Sequence, residues 1–178
     1  MTENDCLPDW YTKSTLVLGC GNPLFGDDGF GPAVAAALQK RATPEDVHVM
    51  DVGISAREVL FPLVVGETLV RNLIIIDAVD FADRGRVPGE IFEVPIDDIP
   101  AVKSDDFSMH QVASSNLLRE LRDRRNIKVI VLACQTGSIP DHVAPGLSGP
   151  VRDAVEKMCE FVLKRWGDRI DGHIQDDG

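Results

Sequence analysis

The sequence predicts an α/β sandwich of three layers, in which a mostly parallel, twisted sheet of about five strands is flanked by helices. The first observation is that short β-rich segments alternate with segments of helical periodicity along most of the chain. The second is that "LIIID" and "VIVLAC" are apolar enough to be buried on both faces, as central parallel strands are. Because ligands of such folds bind at the carboxyl ends of strands, the residues that follow each strand are the candidates for a site.

The β-rich segments predict five strands with different places in the sheet. The segment "GEIFEVPI" alternates in polarity, which indicates a strand nearer an edge, whereas the fully apolar segments belong in the centre. The five predicted strands cover residues 15–20, 47–52, 72–80, 89–96 and 127–134.

The segments of helical periodicity predict four helices. Pro32 suits the first turn of its helix, Pro62 should end or kink the next one, and Ser148 should cap the last one. In the third helix, Leu117 and Leu121 lie on one face and arginine and glutamate on the other. The four predicted helices cover residues 31–41, 55–64, 108–125 and 148–166.

Length and composition predict one soluble domain. A chain of 178 residues forms a single domain over residues 1–178, with its core at about 14–166 and a flexible acidic tail at 167–178. The first residues contain no apolar stretch typical of a signal peptide, and no apolar segment is long enough to span a bilayer. We therefore expect a cytoplasmic protein without a membrane partner, and we expect it to be a monomer.

Charge and cysteine content exclude several classes of function. Eighteen basic and 29 acidic residues give a formal net charge of −11, which would repel a nucleic-acid backbone. The four cysteines are scattered and form no C-x-x-C pair, so neither a zinc knuckle nor a disulfide scaffold is expected.

The loop after the first strand, "GCGNPLFGDD", resembles a phosphate-binding loop with inverted charge. Gly21 and Gly26 have the phosphate-loop spacing, but Asp27 and Asp28 stand where a lysine and a hydroxyl residue would bind phosphate. The pattern G-x-G-x-x-x-x-G also differs from the dinucleotide fingerprint. A single aspartate here would most simply cap the following helix, but two adjacent carboxylates that stay ionised favour binding of a cation.

Two further residues extend this cation site. Asp77 ends a central apolar strand, where an unpaired buried charge would be costly, so it either binds a ligand or accepts hydrogen bonds from loop amides. His110 lies in the first turn of a predicted helix, where the helix dipole favours the neutral imidazole that can bind a metal. Two carboxylates and a histidine suit Zn, Ni, Fe or Mn, and the residues alone indicate a metal-binding α/β protein, with a hydrolase as one candidate.

The segments "LVLGCGNPLFGDDGFG", "IIIDAVD" and "MHQ" resemble, in this order, the motifs of the hydrogenase maturation proteases. The opening segment is most similar to the type associated with coenzyme F420-reducing [NiFe] hydrogenases. The resemblance covers roughly residues 14–165, and the family motif carries Asp or Glu where this chain has Asp28. The segment "DVGIS" matches the family only loosely, so Asp51 and Gly53 are weaker candidates for residues beside the substrate.

The resemblance implies an endopeptidase of aspartyl type that removes the C-terminal extension of the [NiFe] hydrogenase large-subunit precursor after nickel insertion. The family's nickel-recognising and catalytic residues fall on Asp28, Asp77 and His110. The nickel arrives with the precursor, so the free enzyme is expected to hold no tightly bound cofactor. Cys20 is expected to pack rather than to act as a nucleophile, and Asp27 is a cap, an orienting residue or an additional acid.

Two other functions fit the same residues. A non-catalytic accessory or chaperone subunit would hold the hydrogenase large subunit without cutting it. A general metallopeptidase would carry its own metal, but the chain contains no H-E-x-x-H motif.

Overall fold

The computed structural model describes residues 8–99 and 111–171 of the chain, with side chains described for 8–99 and 116–165. It contains a five-stranded sheet with two layers of helices, which confirms the predicted α/β sandwich. The strands are β1 (Thr15–Cys20), β2 (Val47–Gly53), β3 (Asn72–Val79), β4 (Ile91–Val94) and β5 (Lys128–Gln135). The helices are α1 (Phe30–Leu38), α2 (Ala56–Val65), α3 (Gln111–Arg124) and α4 (Gly149–Asp171).

The strand order β2-β1-β3-β5-β4 places the two most apolar strands, β3 and β5, side by side. β2, β1, β3 and β5 run parallel, whereas β4 pairs antiparallel with β5 at the edge predicted from its alternating polarity. The chain leaves β1 towards β2 on one side and returns to β3 on the other side. The sheet therefore has a topological switch point between β1 and β3, where α/β folds bind their ligands.

Each face of the sheet packs against two helices. Val17 and Ile76 point to the face covered by α1 and α4, and Leu18 and Ile75 point to the face covered by α2 and α3. Burial on both faces explains why these strands are apolar throughout rather than alternating. No helix in the described ranges is long and apolar enough to cross a membrane.

Three helix ends differ from the predictions. α1 ends at Leu38, three residues before the predicted end at 41. α2 continues through Pro62 to Val65 because Leu60 and Leu63, on either side of the proline, are both fully buried and hold the last turn against the sheet. α4 extends to Asp171, beyond the predicted end at 166. Residues 172–178 of the predicted tail lie outside the described residues, so their flexibility stays a prediction.

Candidate active site

A cavity of about 860 Å³ lies at the carboxyl ends of the parallel strands, beside the switch point between β1 and β3. Its wall includes Asp28, from the loop after β1, and Asp77, near the carboxyl end of β3. The structure thus brings together two of the three predicted site residues, although 49 positions separate them in the sequence.

Backbone amides orient both carboxylates. The Asn22 N–H donates to Oδ2 of Asp28 at 2.8 Å, and the Ala78 N–H donates to Oδ1 of Asp77 at 2.8 Å. The loop folds this tightly because Gly21 has a φ of +125°, and a Cβ at this position would lie 1.9 Å from the backbone oxygen of Asp28. The glycine of the apparent phosphate loop therefore serves to bring a carboxylate close to the strand end.

The third predicted residue, His110, lies outside the described residues, and its role as a metal ligand stays a prediction. Within residues 8–99 and 111–171, no three histidine, cysteine, aspartate or glutamate side chains are grouped so that they could hold a metal ion. Binding of a metal ion by Asp28 and Asp77 therefore also stays a prediction.

Asp27 has a different environment from its neighbour. Its side chain is fully buried, and its carboxylate accepts four hydrogen bonds: at 2.8 Å from the Gly137 N–H, at 2.8 Å from the Ser138 N–H, and at 2.7 and 2.9 Å from the N–H and hydroxyl of Ser148. The helix-capping interpretation is wrong, because Gly29 is the N-cap of α1 and makes no side-chain cap. Asp27 instead ties the loop after β1 to the loop between β5 and α4.

Ser148 stands immediately before α4, as predicted, and its carbonyl accepts the Arg152 N–H at 2.9 Å. Its hydroxyl, however, donates to Asp27. The start of α4 is therefore fixed to the loop after β1. This connection passes next to the cavity, because Gly137 and Ser138 also line it.

The thiol of Cys20 also lines the cavity but is not available as a nucleophile. Burial raises the pKa of the Cys20 thiol well above its ordinary value, and the negative charges of Asp77, Asp51 and Asp28 raise it further. A thiol in this environment stays protonated at neutral pH, and only the thiolate is an effective nucleophile. The structure supports the prediction that Cys20 packs rather than reacts.

The end of β2 lies beside the loop that follows β1. Gly53 accepts the Gly21 N–H at 3.0 Å and lines the cavity. Asp51 is exposed, and its Oδ1 accepts the Gly53 N–H at 2.9 Å, which forms a local turn. The contact of this segment with a substrate stays a prediction.

A second polar network at the cavity was not predicted. Gln135, at the end of β5, is buried; its Oε1 accepts the Phe81 N–H at 2.7 Å and its Nε2 donates to Asp80 at 2.9 Å. The hydrogen bond from Gln135, followed by one from the Ala82 N–H, lowers the pKa of Asp80. The signal in the sequence was a glutamine that ends an otherwise apolar strand, in a position where a buried amide must find partners.

These features define a class of protein. An α/β fold with two oriented carboxylates in a switch-point cavity, and with a protonated thiol beside them, is suited to bind a cationic centre on a ligand that enters the cavity.

Comparison with known proteins identifies the family. The model of the hydrogenase maturation protease family matches residues 32–165. A protein of Methanocaldococcus jannaschii, provisionally named a hydrogenase maturation protease, is 39% identical over 153 residues, which are 85% of this chain and 95% of that protein. The coenzyme F420 hydrogenase subunit delta of Methanothermobacter thermautotrophicus is 33% identical over 162 residues, covering 88% and 97% of the two chains.

Among solved structures, the hydrogenase maturating endopeptidase HybD of Escherichia coli superimposes with a TM-score of 0.70 at 26% identity, covering 87% of this chain and 93% of that one. The chain belongs to the hydrogenase maturation protease family. It is therefore a hydrolase that acts on peptide bonds, as the resemblance of its motifs implied.

Proposed function

We propose that this enzyme removes the C-terminal extension of a [NiFe] hydrogenase large-subunit precursor after nickel has been inserted. The observation that carries the proposal is the meeting of Asp28 and Asp77 in one cavity at the carboxyl edge of the sheet. Both carboxylates are fixed by backbone amides, so they are already oriented before a ligand enters.

The nickel in this proposal is part of the substrate. Asp28 and Asp77 would approach the ion as it sits in the precursor, and His110, the residue that precedes α3 in the sequence, would add a nitrogen ligand. Carboxylate oxygen and imidazole nitrogen are both ligands that nickel accepts. The ion would then fix the precursor in the cavity, and a precursor without nickel would lack the group that the carboxylates recognise.

The chemistry would use acidic residues and the precursor's own metal. A peptide carbonyl polarised by the metal, or a water activated by it, allows the carbon–nitrogen bond to be hydrolysed without a covalent enzyme intermediate. Support comes from Cys20, since the raised pKa of this thiol makes it unsuited to attack. We assign the enzyme to the aspartyl type because Asp28 and Asp77, rather than a thiol, are the groups that backbone amides orient at the cavity.

The enzyme is proposed to act as a monomer in the cytoplasm. A net charge of −11 disfavours self-association of like-charged copies. Light scattering coupled to size-exclusion chromatography measures the mass in solution and decides between a monomer and a dimer.

The proposal is tested by the intact mass of the precursor after incubation with the enzyme. A nickel-loaded and a nickel-free precursor are treated in parallel, and loss of a C-terminal peptide is expected from the nickel-loaded form alone. Loss from both forms would retain the protease and contradict nickel recognition. Binding without any loss would favour an accessory subunit; the Methanothermobacter relative is named a subunit of coenzyme F420 hydrogenase.

A further inference from the structure

The wall of the cavity also carries two arginines, and they differ in what they contact. Arg84 and Arg86 are the cations among the described residues that line the cavity. Both follow β3, the strand that carries Asp77, but neither belongs to the cation-binding site described above. Their position raises the question of which part of a substrate meets a positive charge here.

An aromatic pair supports both guanidinium groups. The rings of Phe81 and Phe92 lie 5.9 Å apart between centroids, at an interplanar angle of 33°. Arg84 Cζ lies 4.2 Å from the centroid of Phe81, and Arg86 Cζ lies 4.1 Å from that of Phe92. Stacking on a ring face restricts a guanidinium and leaves its N–H edge directed away from the ring.

The two arginines differ in their ion pairs. Arg86 is paired with Glu90, and this pairing, followed by the Val87 N–H, lowers the pKa of the Glu90 carboxyl. Within the described residues, Arg84 has its contact with the Phe81 ring and no carboxylate partner. Arg84 is thus the cation of the pair whose N–H donors are open to a ligand.

The backbone beneath Arg84 is fixed by the buried network of Gln135. Gln135 accepts the Phe81 N–H, and Asp80, to which Gln135 donates, accepts the Ala82 N–H at 3.0 Å. Residues Ala82–Arg84 form a 3-10 turn, which Gly85 ends in the left-handed region. A positive group held on a fixed support loses little entropy when it binds an anion.

We infer that Arg84 is a binding residue for a carboxylate of the C-terminal extension, a role that rests on the proposed function. Every C-terminal extension ends in an α-carboxylate, and an acidic side chain within it would present the same group. Four aspartates on the described cavity wall (Asp28, Asp77, Asp80 and Asp83) would repel such a group. Arg84 is therefore where a carboxylate would settle while the acidic part of the cavity receives the metal.

The experiment compares wild type with Arg84→Gln, Arg84→Lys and Arg86→Gln on a nickel-loaded precursor. Because a hydrogen bond to a charged group is lost, Arg84→Gln is expected to raise KM about tenfold with kcat little changed. Arg84→Lys, which keeps the charge but not the planar fork, is expected to recover part of this loss. Arg86→Gln is the matched control and is expected to change KM less than about twofold, since Glu90 already occupies its guanidinium.

Two altered precursors distinguish the sources of the carboxylate. A precursor amidated at its C-terminus should remove the difference between wild type and Arg84→Gln if Arg84 binds the α-carboxylate. A precursor whose extension has its acidic side chains replaced by amides should remove the difference if Arg84 binds one of those. An unchanged KM for Arg84→Gln on the unaltered precursor would overturn the inference.

A binding measurement separates this inference from the proposed function. The dissociation constant of the free C-terminal extension peptide, which carries the carboxylates but no nickel, is measured by calorimetry for wild type and Arg84→Gln, without any need for cleavage. If wild type cleaves nothing but binds about tenfold more tightly than Arg84→Gln, the proposed function fails and carboxylate binding stands. Equal dissociation constants for the two proteins would overturn carboxylate binding whatever the cleavage result.

Discussion

The two sides of the loop between β1 and α1 present the same functional group to opposite environments. On the inner side, the carboxylate of Asp27 is fully buried and accepts four hydrogen bonds from the loop between β5 and α4, two of them from the residue just before α4. On the outer side, the carboxylate of Asp28 is partly exposed and lines the cavity. Adjacent identical residues thus have separate places: Asp27 ties two loops together, and Asp28 lines the cavity.

Each side of the loop also has a buried cysteine whose thiol pKa is raised by its surroundings. Cys20 lies on the cavity side, where burial and three aspartates raise the pKa of its thiol. Cys134 lies on the inner side, where burial, followed by the charge of Asp27, raises the pKa of its thiol to about 12. Neither thiol forms thiolate at neutral pH, so neither is suited to act as a nucleophile.

The largest expected effect is a loss of precursor processing when a carboxylate on the cavity side is replaced. Asp28→Asn and Asp77→Asn keep the shape of the side chain but remove the charge that would bind a cation, so the rate of precursor processing should fall by at least about 100-fold. Circular dichroism and thermal unfolding should remain close to wild type. Asp153→Asn, on the exposed surface of α4, is the matched control and should process normally.

His110→Ala should also abolish processing, as expected for a third ligand. Normal processing by any of these three site variants would contradict the proposed ligand set. Loss of the fold in a variant would be visible in circular dichroism, and the rate is then compared per folded molecule.

Substitutions on the inner side of the loop are expected to lower the free energy of unfolding. Both oxygens of Asp27 accept backbone N–H groups, so in Asp27→Asn the amide NH₂ must face one of these donors. The free energy of unfolding, measured by urea denaturation, should fall by at least about 2 kcal/mol because a buried N–H loses its acceptor. Ser148→Ala removes the hydroxyl donor alone and should cost about 1 kcal/mol. Equal losses for the two variants would contradict the role of the backbone contacts.

The raised pKa values of the two thiols also predict how the free energy of unfolding depends on pH. A thiol whose pKa is raised keeps its proton in the folded state above pH 9, whereas the same thiol in the unfolded chain loses it near its ordinary pKa of 9.0. The unfolded state then binds fewer protons, so the free energy of unfolding falls as the pH rises from about 9 to 12. Each such thiol contributes a slope of up to about 1.4 kcal/mol per pH unit.

The measurement is urea denaturation of wild type and Cys134→Ala at a series of pH values above 9. The variant should lose stability less steeply than wild type. Parallel curves would indicate that the Cys134 thiol ionises equally easily in both states, contrary to the burial and charge around it.

The smallest effect on activity is expected from the thiol of the cavity side. Cys20→Ala should change the processing rate less than about threefold, because a protonated thiol contributes no nucleophile. Single-turnover processing of a nickel-loaded precursor checks this. A loss as large as that of Asp77→Asn would mean that Cys20 takes part in the chemistry.

Much of the fold could be predicted from periodicity, but the separate places of the aspartate pair could not. β3 and β5 are apolar on both faces, so their central and parallel placement follows from the sequence. The role of Asp27 depends on contacts with residues more than 100 positions away, such as Gly137 and Ser148. The sequence places the two carboxylates next to each other and contains no local signal for which one is buried.

Of the residues that line the cavity, only those with a local signal in the sequence could be predicted. Asp77 was identifiable because it ends an apolar strand, and Asp28 because it belongs to a long motif. Arg84 and the Gln135 network could not be predicted, because the contact of Arg84 with the Phe81 ring and the hydrogen bonds of the buried Gln135 amide form only in the folded chain.

The central claim is that Asp28 and Asp77 bind the nickel of the precursor, and X-ray absorption spectroscopy of that nickel tests it most directly. The nickel-loaded precursor is mixed with enzyme and frozen before cleavage, and its spectrum is compared with that of the precursor alone. We predict additional oxygen or nitrogen ligands on the nickel with wild-type enzyme, and fewer of them with Asp28→Asn or Asp77→Asn. An unchanged nickel coordination shell in the wild-type complex would contradict the claim.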